Sequence, residues 1–249
     1  MNYLNKLINN LKKRPLSLKQ FNNILSSEDT FYESVELERE LLISNGCPLH
    51  FSDDEVVLKT TQTKIEDQTF CIVDIETTNG KVKDGQIIEI GAVKWKNGKV
   101  IEKYESLVSA KDIPLKVQEI TGITPEMLNG APNIQTVLGE FKIFLEDDVF
   151  VAHAISFDYK FISDSLEKYD LGKLCNRKVC TIDMSKRLIE APRYGLQYLK
   201  EFLNIDVDDH HRAYSDAIST AYVFSKCLES LPNECVYTED LIKFSKSNT

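Results

Sequence analysis

The stretch Phe70 to Gly80, FCIVDIETTNG, constrains this chain more than any other. Its apolar, β-branched run ends in acidic residues, the pattern of a buried strand whose last turn leaves the core. Side chains two apart on a strand share a face, so Asp74 and Glu76 point the same way. Like charges held a few ångströms apart repel, and a fold keeps such a pair when a cation sits between them or one carboxylate is protonated. Taken alone, the pair reads more simply as two solvated carboxylates at a strand end.

Further acidic and imidazole groups shift that balance. Asp158 lies in VAHAISFDYKFI, at the start of a helix that follows a short strand, and His211 and Asp216 stand five residues apart in HHRAYSDA, opening another apolar-striped helix. In order the pattern is Asp-x-Glu, His-x-x-x-Phe-Asp, His-x-x-x-x-Asp. It resembles the DEDD exonuclease superfamily, named for its four acidic residues, in the histidine-containing branch that includes proofreading subunits of bacterial DNA polymerase III. The resemblance runs from about Gln68 to Leu228 and takes in QIIEIGAV (Gln86 to Val93), TGIT (Thr121 to Thr124) and the segment Tyr194 to Ile205.

The resemblance implies a ribonuclease-H-like, three-layer α/β fold around a mixed five-stranded sheet, and a metal-dependent 3′-to-5′ exonuclease working on a single-stranded or frayed DNA end. Two cations about 3.5 to 4 Å apart activate water on one side of phosphorus and stabilise the leaving oxygen on the other. Asp74, Glu76, Asp158 and Asp216 are the expected ligands. Hard oxygen donors favour two Mg²⁺ or Mn²⁺ over zinc, since no Cys or His cluster accompanies the acids. His211 is the expected general base; His210 is read as its solvent-facing neighbour. In the family this position separates the histidine branch from one that uses tyrosine, and Tyr214 also lies between His211 and Asp216.

Further site residues are carried by the same resemblance. Thr77 and Thr78 hold the position whose backbone meets the terminal nucleotide. The family usually continues with Gly, whereas this chain has Asn79 and then Gly80; Asn tolerates a left-handed turn next best. Thr121, Gly122 and Ile123 resemble the loop lining the terminal-base pocket, where an apolar residue can wedge against the base. Their alternative is an ordinary helix-ending turn with Gly in the left-handed position. His153 and Phe157 complete the substrate-binding candidates, although support of the corner is the favoured reading for His153 and core packing for Phe157. The family's Asn after His153 is replaced by Ala154, leaving Ser156 as a candidate cap for the helix.

The remainder of the chain divides around this unit. Residues 1–67 read as a separate helical module and linker, 68–230 as the exonuclease domain and 231–249 as a short C-terminal tail. In the module, helices at Leu4 to Lys12, Leu18 to Leu25 and Phe31 to Ile43 precede a small hairpin over Leu49 to Phe51 and Val56 to Lys59, an order that resembles a winged helix; Lys12-Lys13-Arg14 reads as a solvated charge run. In the exonuclease unit, Asn97-Gly98 predicts a two-residue hairpin turn, and helices are expected over Asp112 to Ile120, Asn133 to Leu145 and Ser156 to Lys168.

No apolar run approaches the roughly 18 residues of a membrane span, and the N-terminal sequence lacks the pattern of a signal peptide. Six scattered cysteines without a pairing framework read as reduced thiols in a cytoplasmic protein. A net charge of −9 argues against broad coating of duplex nucleic acid, yet metals bound among carboxylates attract the phosphate that the bare protein would repel. The expected role is proofreading beside a replicative DNA polymerase; neither a clamp-binding motif nor a long polymerase-binding tail is evident after Leu231. The alternatives are a stand-alone RNA-trimming or repair exonuclease and a nuclease-shaped binding module without turnover.

Overall fold

The computed structural model describes residues 2–26, 34–207 and 211–246. The N-terminal part builds its own small core. Helix α1 (Asn2–Leu11), strand β1 (Leu16–Ser17), helices α2 (Leu18–Ser26) and α3 (Val35–Ser44), and strands β2 (Leu49–Phe51) and β3 (Glu55–Leu58) follow in the chain order of a winged helix. Strand β3 lies between β1 and β2, both antiparallel to it. Leu7, Leu11, Phe21, Leu25, Leu42, Val56 and Leu58 are buried together, and Ser34 caps α3 by accepting from the Leu37 N–H. Sequence reading begins α3 at Phe31; residues 31–33 lie outside those described.

The larger unit follows two short 3₁₀ turns. Strands β4 (Phe70–Thr77), β5 (Ile87–Lys96) and β6 (Lys99–Leu107) form an antiparallel meander, in which Asn97 and Gly98 take the positive φ angles of 45° and 80° that a primed hairpin turn needs. Helix α4 (Leu115–Thr121) starts later than its apolar spacing suggests, because Ile113 precedes Pro114 and is held out of helical backbone. Helix α5 (Ile134–Leu145) is capped by Asn133, whose side chain accepts from Thr136 N–H at 3.0 Å. Strand β7 (Val149–Ala152), helix α6 (Ile155–Lys168), strand β8 (Lys178–Cys180) and helices α7 (Thr181–Leu188), α8 (Leu196–Phe202), α9 (Ala213–Glu229) and α10 (Thr238–Ser245) complete it.

The sheet order is β6-β5-β4-β7-β8, with β7 parallel to β4 and β8 parallel to β7. This is the mixed five-stranded, three-layer architecture that the sequence implies. Cys71, Val73 and Ile75 pack on one face with Phe141, Phe161 and Ile162 of α5 and α6. Phe70 and Ile72 pack on the other with Val223, Phe224 and Leu241 of α9 and α10. The rings of Phe70, Trp95 and Phe224 meet edge to face at centroid separations of 4.9 to 6.0 Å, and burying each contributes roughly 1.5–3 kcal/mol. With both faces of β4 covered, only its C-terminal end reaches solvent.

Residues 238–245, expected as tail, are the helix α10, with Leu241 and Ile242 fully buried. Eight residues are too few to show a helical period, and the Asp240 carboxylate that accepts the Tyr237 N–H at 2.9 Å starts the helix. No helix among the described residues is long and apolar enough to cross a membrane.

Candidate active site

The open end of β4 carries Asp74 and Glu76 on the face covered by α9. Across the β4–β5 ladder Asp74 sits opposite Gly91 and Glu76 opposite Glu89, so all four residues share that face. The register slips between Glu76 and Thr77, a bulge that ends the regular ladder where the second carboxylate emerges.

Helix α9 brings Asp216 to the pair in its first turn, and carboxylate oxygens of Asp74, Glu76 and Asp216 lie within 4.8 Å of one another. Two features of β5 fix the helix there. Glu89, fully buried, accepts from Arg212 Nε at 2.9 Å, from Arg212 Nη2 at 2.6 Å and from the backbone N–H of Ala213 at 2.9 Å. Gly91 leaves room for the helix backbone: a Cβ there would fall 2.1 Å from the Tyr214 nitrogen and 2.2 Å from the Ala213 carbonyl carbon.

Asp158 arrives from the opposite layer, in the first turn of α6. It is buried, and its carboxylate accepts the Ile75 N–H, which ties it to the end of β4. Among the charged neighbours of Asp74 it acts most strongly, followed by Asp216, Glu76 and Glu89. Asp74, Glu76 and Asp216 therefore converge, and Asp158 lies near enough for its charge to act on Asp74. Desolvation and then this mutual repulsion push Asp74 well above the ordinary carboxyl range. Glu76 is pushed up to about 8 by desolvation, then Glu89, Asp216 and Asp158, with Arg212 opposing. Desolvation raises Asp158 to about 7 against its backbone N–H donors. An all-oxygen donor set kept together against repulsion suits a hard divalent cation.

The remaining predicted residues divide. His211 stands exposed just ahead of α9, with a φ of 58°, and His210 lies outside the described residues. Thr77 and Thr78 follow the carboxylates; the Thr78 N–H donates to Gln86 O at 2.9 Å and its hydroxyl accepts the Gln86 N–H at 3.0 Å, closing the loop 79–85. Neither Asn79 nor Gly80 takes a positive φ, so the left-handed turn expected there is absent. Close approach does the work instead: a Cβ on Gly85 would fall 2.6 Å from Asn79 Cβ.

Phe157 departs from the expected core packing. Its side chain is 38% exposed beside the site, with its ring 5.7 Å from that of Phe161. His153 has both ring nitrogens engaged, Nδ1 with Thr181 Oγ1 at 2.8 Å and Nε2 with the Tyr194 carbonyl at 2.9 Å. Burial lowers it to about 4; a neutral imidazole bridging β7, α7 and the segment before α8 supports the corner. Gly122 ends α4 with a φ of 69°. Ile123 is fully buried against Ile88, Ile113 and Leu128 and offers no edge to a base, while Thr121 is buried with its hydroxyl bonded to Val117 O and Ile123 N–H. These three residues form the helix-ending turn that was the alternative reading. The sequence reading passed over Glu89, Gly91 and Arg212 as individual residues; a carboxylate inside the otherwise apolar QIIEIGAV was the available signal.

Comparison with known proteins agrees with this geometry. A family model described as exonuclease, that of the RNase T family, matches residues 71–224. DNA polymerase III PolC-type of Staphylococcus aureus strain RF122 / ET3-1 is 33% identical over 210 residues, which cover 84% of this chain and 14% of that protein. The chain thus spans about one seventh of the length of the curated relatives it matches. Among solved structures, exonuclease X in complex with 5′ overhanging duplex DNA has a TM-score of 0.58 at 23% identity, covering 71% of this chain and 99% of that one. Exonuclease I of E. coli in complex with a dT13 oligonucleotide has a TM-score of 0.59 at 15% identity, covering 66% and 41%. The family match across the residues that build the acidic site identifies the chain as a member of the RNase T exonuclease family.

Proposed function

We propose that the protein is a 3′-to-5′ exonuclease that hydrolyses single-stranded or frayed DNA ends to nucleoside 5′-monophosphates, with two Mg²⁺ or Mn²⁺ held by Asp74, Glu76, Asp158 and Asp216. The observation that carries the reading is the convergence of Asp74, Glu76 and Asp216, from β4 and α9, at the one open end of the central strand, with Asp158 of α6 near enough for its charge to act on Asp74. When bound, the cations supply the positive charge that acidifies water and stabilises the leaving oxygen.

The chain's own residues provide the rest. Asp74 leaves the central strand between the two sources of further ligand and is best placed to bridge. His211 Nε2 or Nδ1 accepts the proton of the attacking water, and its exposed position ahead of α9 leaves it free to do so. Thr77 and Thr78 present backbone to the terminal nucleotide, and the exposed ring of Phe157 offers a stacking face. Likeness to a PolC-type polymerase III supports a proofreading role beside a replicative polymerase.

Digestion of matched 5′-labelled single-stranded DNA and RNA with Mg²⁺ or Mn²⁺ tests this, with Asp216→Ala as the contamination control. A DNA ladder shortening from the 3′ end in wild type alone is expected. RNA shortened far faster would assign the site to RNA trimming, and no cleavage of either would leave a binding module.

A further inference from the structure

A protein of net charge −9 concentrates cations in one cleft, at the seam between the N-terminal module and the nuclease unit. The cleft, about 670 Å³, runs between α1 and the elements α6 and β8. Lys12, Lys160, Lys173, Arg177, Lys178 and Lys246 line it, against the single carboxylate of Asp164. Glu239 reaches Arg177 and Lys12, and Glu167 reaches Lys173. Even with these two counted, cations outnumber carboxylates two to one. No carboxylate among the described residues pairs with Lys178 or Lys246; Lys178 lies 4.1 Å over the Tyr159 ring.

The cations are crowded at a cost. Burial and then the charges of Arg177 and Lys246 hold Lys12 below the ordinary lysine value; burial, Lys246 and Arg177 do the same to Lys178. Arg177 is held by Glu239, whose charge also reaches Lys12 and Lys246, but no charge among the described residues opposes the repulsion on Lys178. An anion in the cleft would offset the repulsion.

The cleft adjoins a smaller hollow, of about 310 Å³, on the helix that carries Asp158. On this helix, α6, Asp158 faces the carboxylates, while Ser156, Lys160 and Asp164 lie on the neighbouring face and line both the cleft and the hollow. That hollow also holds Phe157, Lys81 and Lys83. A basic track thus leads from the residue beside Asp158, past an exposed aromatic ring, to the seam. Basic grooves that follow a backbone, with an aromatic face along them, bind single strands without regard to sequence. The helix of the winged-helix unit that would read a duplex groove speaks against duplex: α3 carries Glu36, Glu38 and Glu40.

We propose that the cleft between α1 and β8 binds the backbone phosphates of a single nucleic-acid strand whose 3′ end lies at the carboxylates, so that the N-terminal module completes the substrate channel. This rests on the nuclease reading for the location of the 3′ end. Lys12, from the run read in sequence as solvated, is the module's contribution.

Fluorescence anisotropy of labelled oligothymidylates in Ca²⁺ reads binding without turnover. Affinity should rise with length beyond the few nucleotides that reach Phe157. Lys12→Gln/Lys178→Gln/Lys246→Gln should flatten the plot of log affinity against log salt by about 2, from roughly 0.7 per phosphate contact on a single strand. The charge-matched control Lys64→Gln/Lys99→Gln/Lys226→Gln, outside the cleft, should keep the wild-type slope. Lys246 is exposed, so Lys246→Gln alone cannot fail by unfolding and should flatten the slope by about 0.7. Equal slopes for cleft variant and wild type overturn the proposal. So does displacement by inorganic phosphate without any gain from length, which would make the cleft a site for a free anion. Hydrolysis of thymidine monophosphate nitrophenyl ester by wild type with Mn²⁺ reads the acidic site alone; its absence would defeat the nuclease reading while the anisotropy result still decides the cleft.

Discussion

Glu76 and Glu89 oppose each other across the β4–β5 ladder, and the chain supplies a cation to only one of them directly: Arg212 grips Glu89 through Nε at 2.9 Å and Nη2 at 2.6 Å. Like charges directly opposite on a ladder destabilise it. Arg212 also lowers Glu76 slightly, but desolvation, Glu89, Asp216 and Asp158 outweigh it. The paired carboxylate positions a helix, whereas Glu76 stands with Asp74 and Asp216 in the group that could hold a metal ion.

Replacing Glu89 should therefore act through α9. Glu89→Ala removes the acceptor of both the guanidinium and the Ala213 N–H, and losing one partner of a buried pair costs about 3 kcal/mol. Denaturant unfolding should show that loss together with weaker Mn²⁺ binding, because Asp216 rides on the same helix. Unchanged stability would mean that Arg212 finds equal partners elsewhere, and Glu105, 3.9 Å from it, is the nearest to check.

Gly91→Ala makes a sharper demand. The new methyl would meet backbone atoms of Ala213 and Tyr214 at 2.1 to 2.4 Å, so α9 must move as a body. Overpacking of this kind costs about 1–3 kcal/mol. Cleavage should fall to background although no ligand has changed, and wild-type activity would show that the helix can shift without moving Asp216.

Ala154→Gly should stabilise the protein. Ala154 caps α6 at a φ of 74°, a left-handed conformation that costs an ordinary residue about 1–2 kcal/mol. The extra freedom of Gly in the unfolded chain returns about 0.4–1 kcal/mol of that, leaving a gain near 0.5–1 kcal/mol and a melting temperature higher by about 2 °C. A fall in melting temperature would contradict the left-handed cap. Ala154→Asn, restoring the family's usual residue, should move it in the same direction.

The site was legible in sequence where chemistry and period coincide. Asp74 and Glu76 close an apolar run, and Asp158 and Asp216 open apolar-striped helices; the periods place each acid at an element's end, and the resemblance to the exonuclease superfamily implies that these ends meet. What pattern reading lost depends on distant contacts. Phe157 looks like any core aromatic until α6 is seated with Asp158 inward, which turns Phe157 out. Ile123 looks available until α4 folds back and buries it on Ile88. The basic cleft draws on α1, α6, β8 and the residue after α10, segments up to 242 positions apart, and no local window contains it.

In the absence of divalent cations, stability should fall as pH rises. Glu76, ordinarily at 4.5, titrates at about 8 in the folded protein, and Asp158 moves from 3.8 to about 7. Folded pKa values above the unfolded ones mean that the native state holds more protons between them. The stability these groups contribute is therefore full below their unfolded values and lost as pH climbs through 7 to 8. Urea denaturation in EDTA at about pH 5 and about pH 8 should show it, and saturating Mg²⁺ should abolish the loss by binding the native state alone. A stability that rises over this range in EDTA would mean that the carboxylates are already compensated within the protein.

The roles proposed for Asp216 and His211, metal binding and proton transfer, can be told apart by substitution at the start of one helix. Asp216→Ala should abolish cleavage and leave metal-free stability equal or higher, since it removes one of three mutually repelling carboxylates within 4.8 Å. His211→Ala leaves that cluster intact, so metal binding should persist while the rate drops by about 10² to 10⁴, the usual worth of a positioned base. Tyr214 is the competing base, but its first-turn backbone lies against Gly91 and its ring sits 5.5 Å from Lys103 Nζ; Tyr214→Phe should cost little. A tenfold or smaller loss at His211 together with a large one at Tyr214 would transfer the proton to the phenol, and with it the chain to the tyrosine branch of its superfamily.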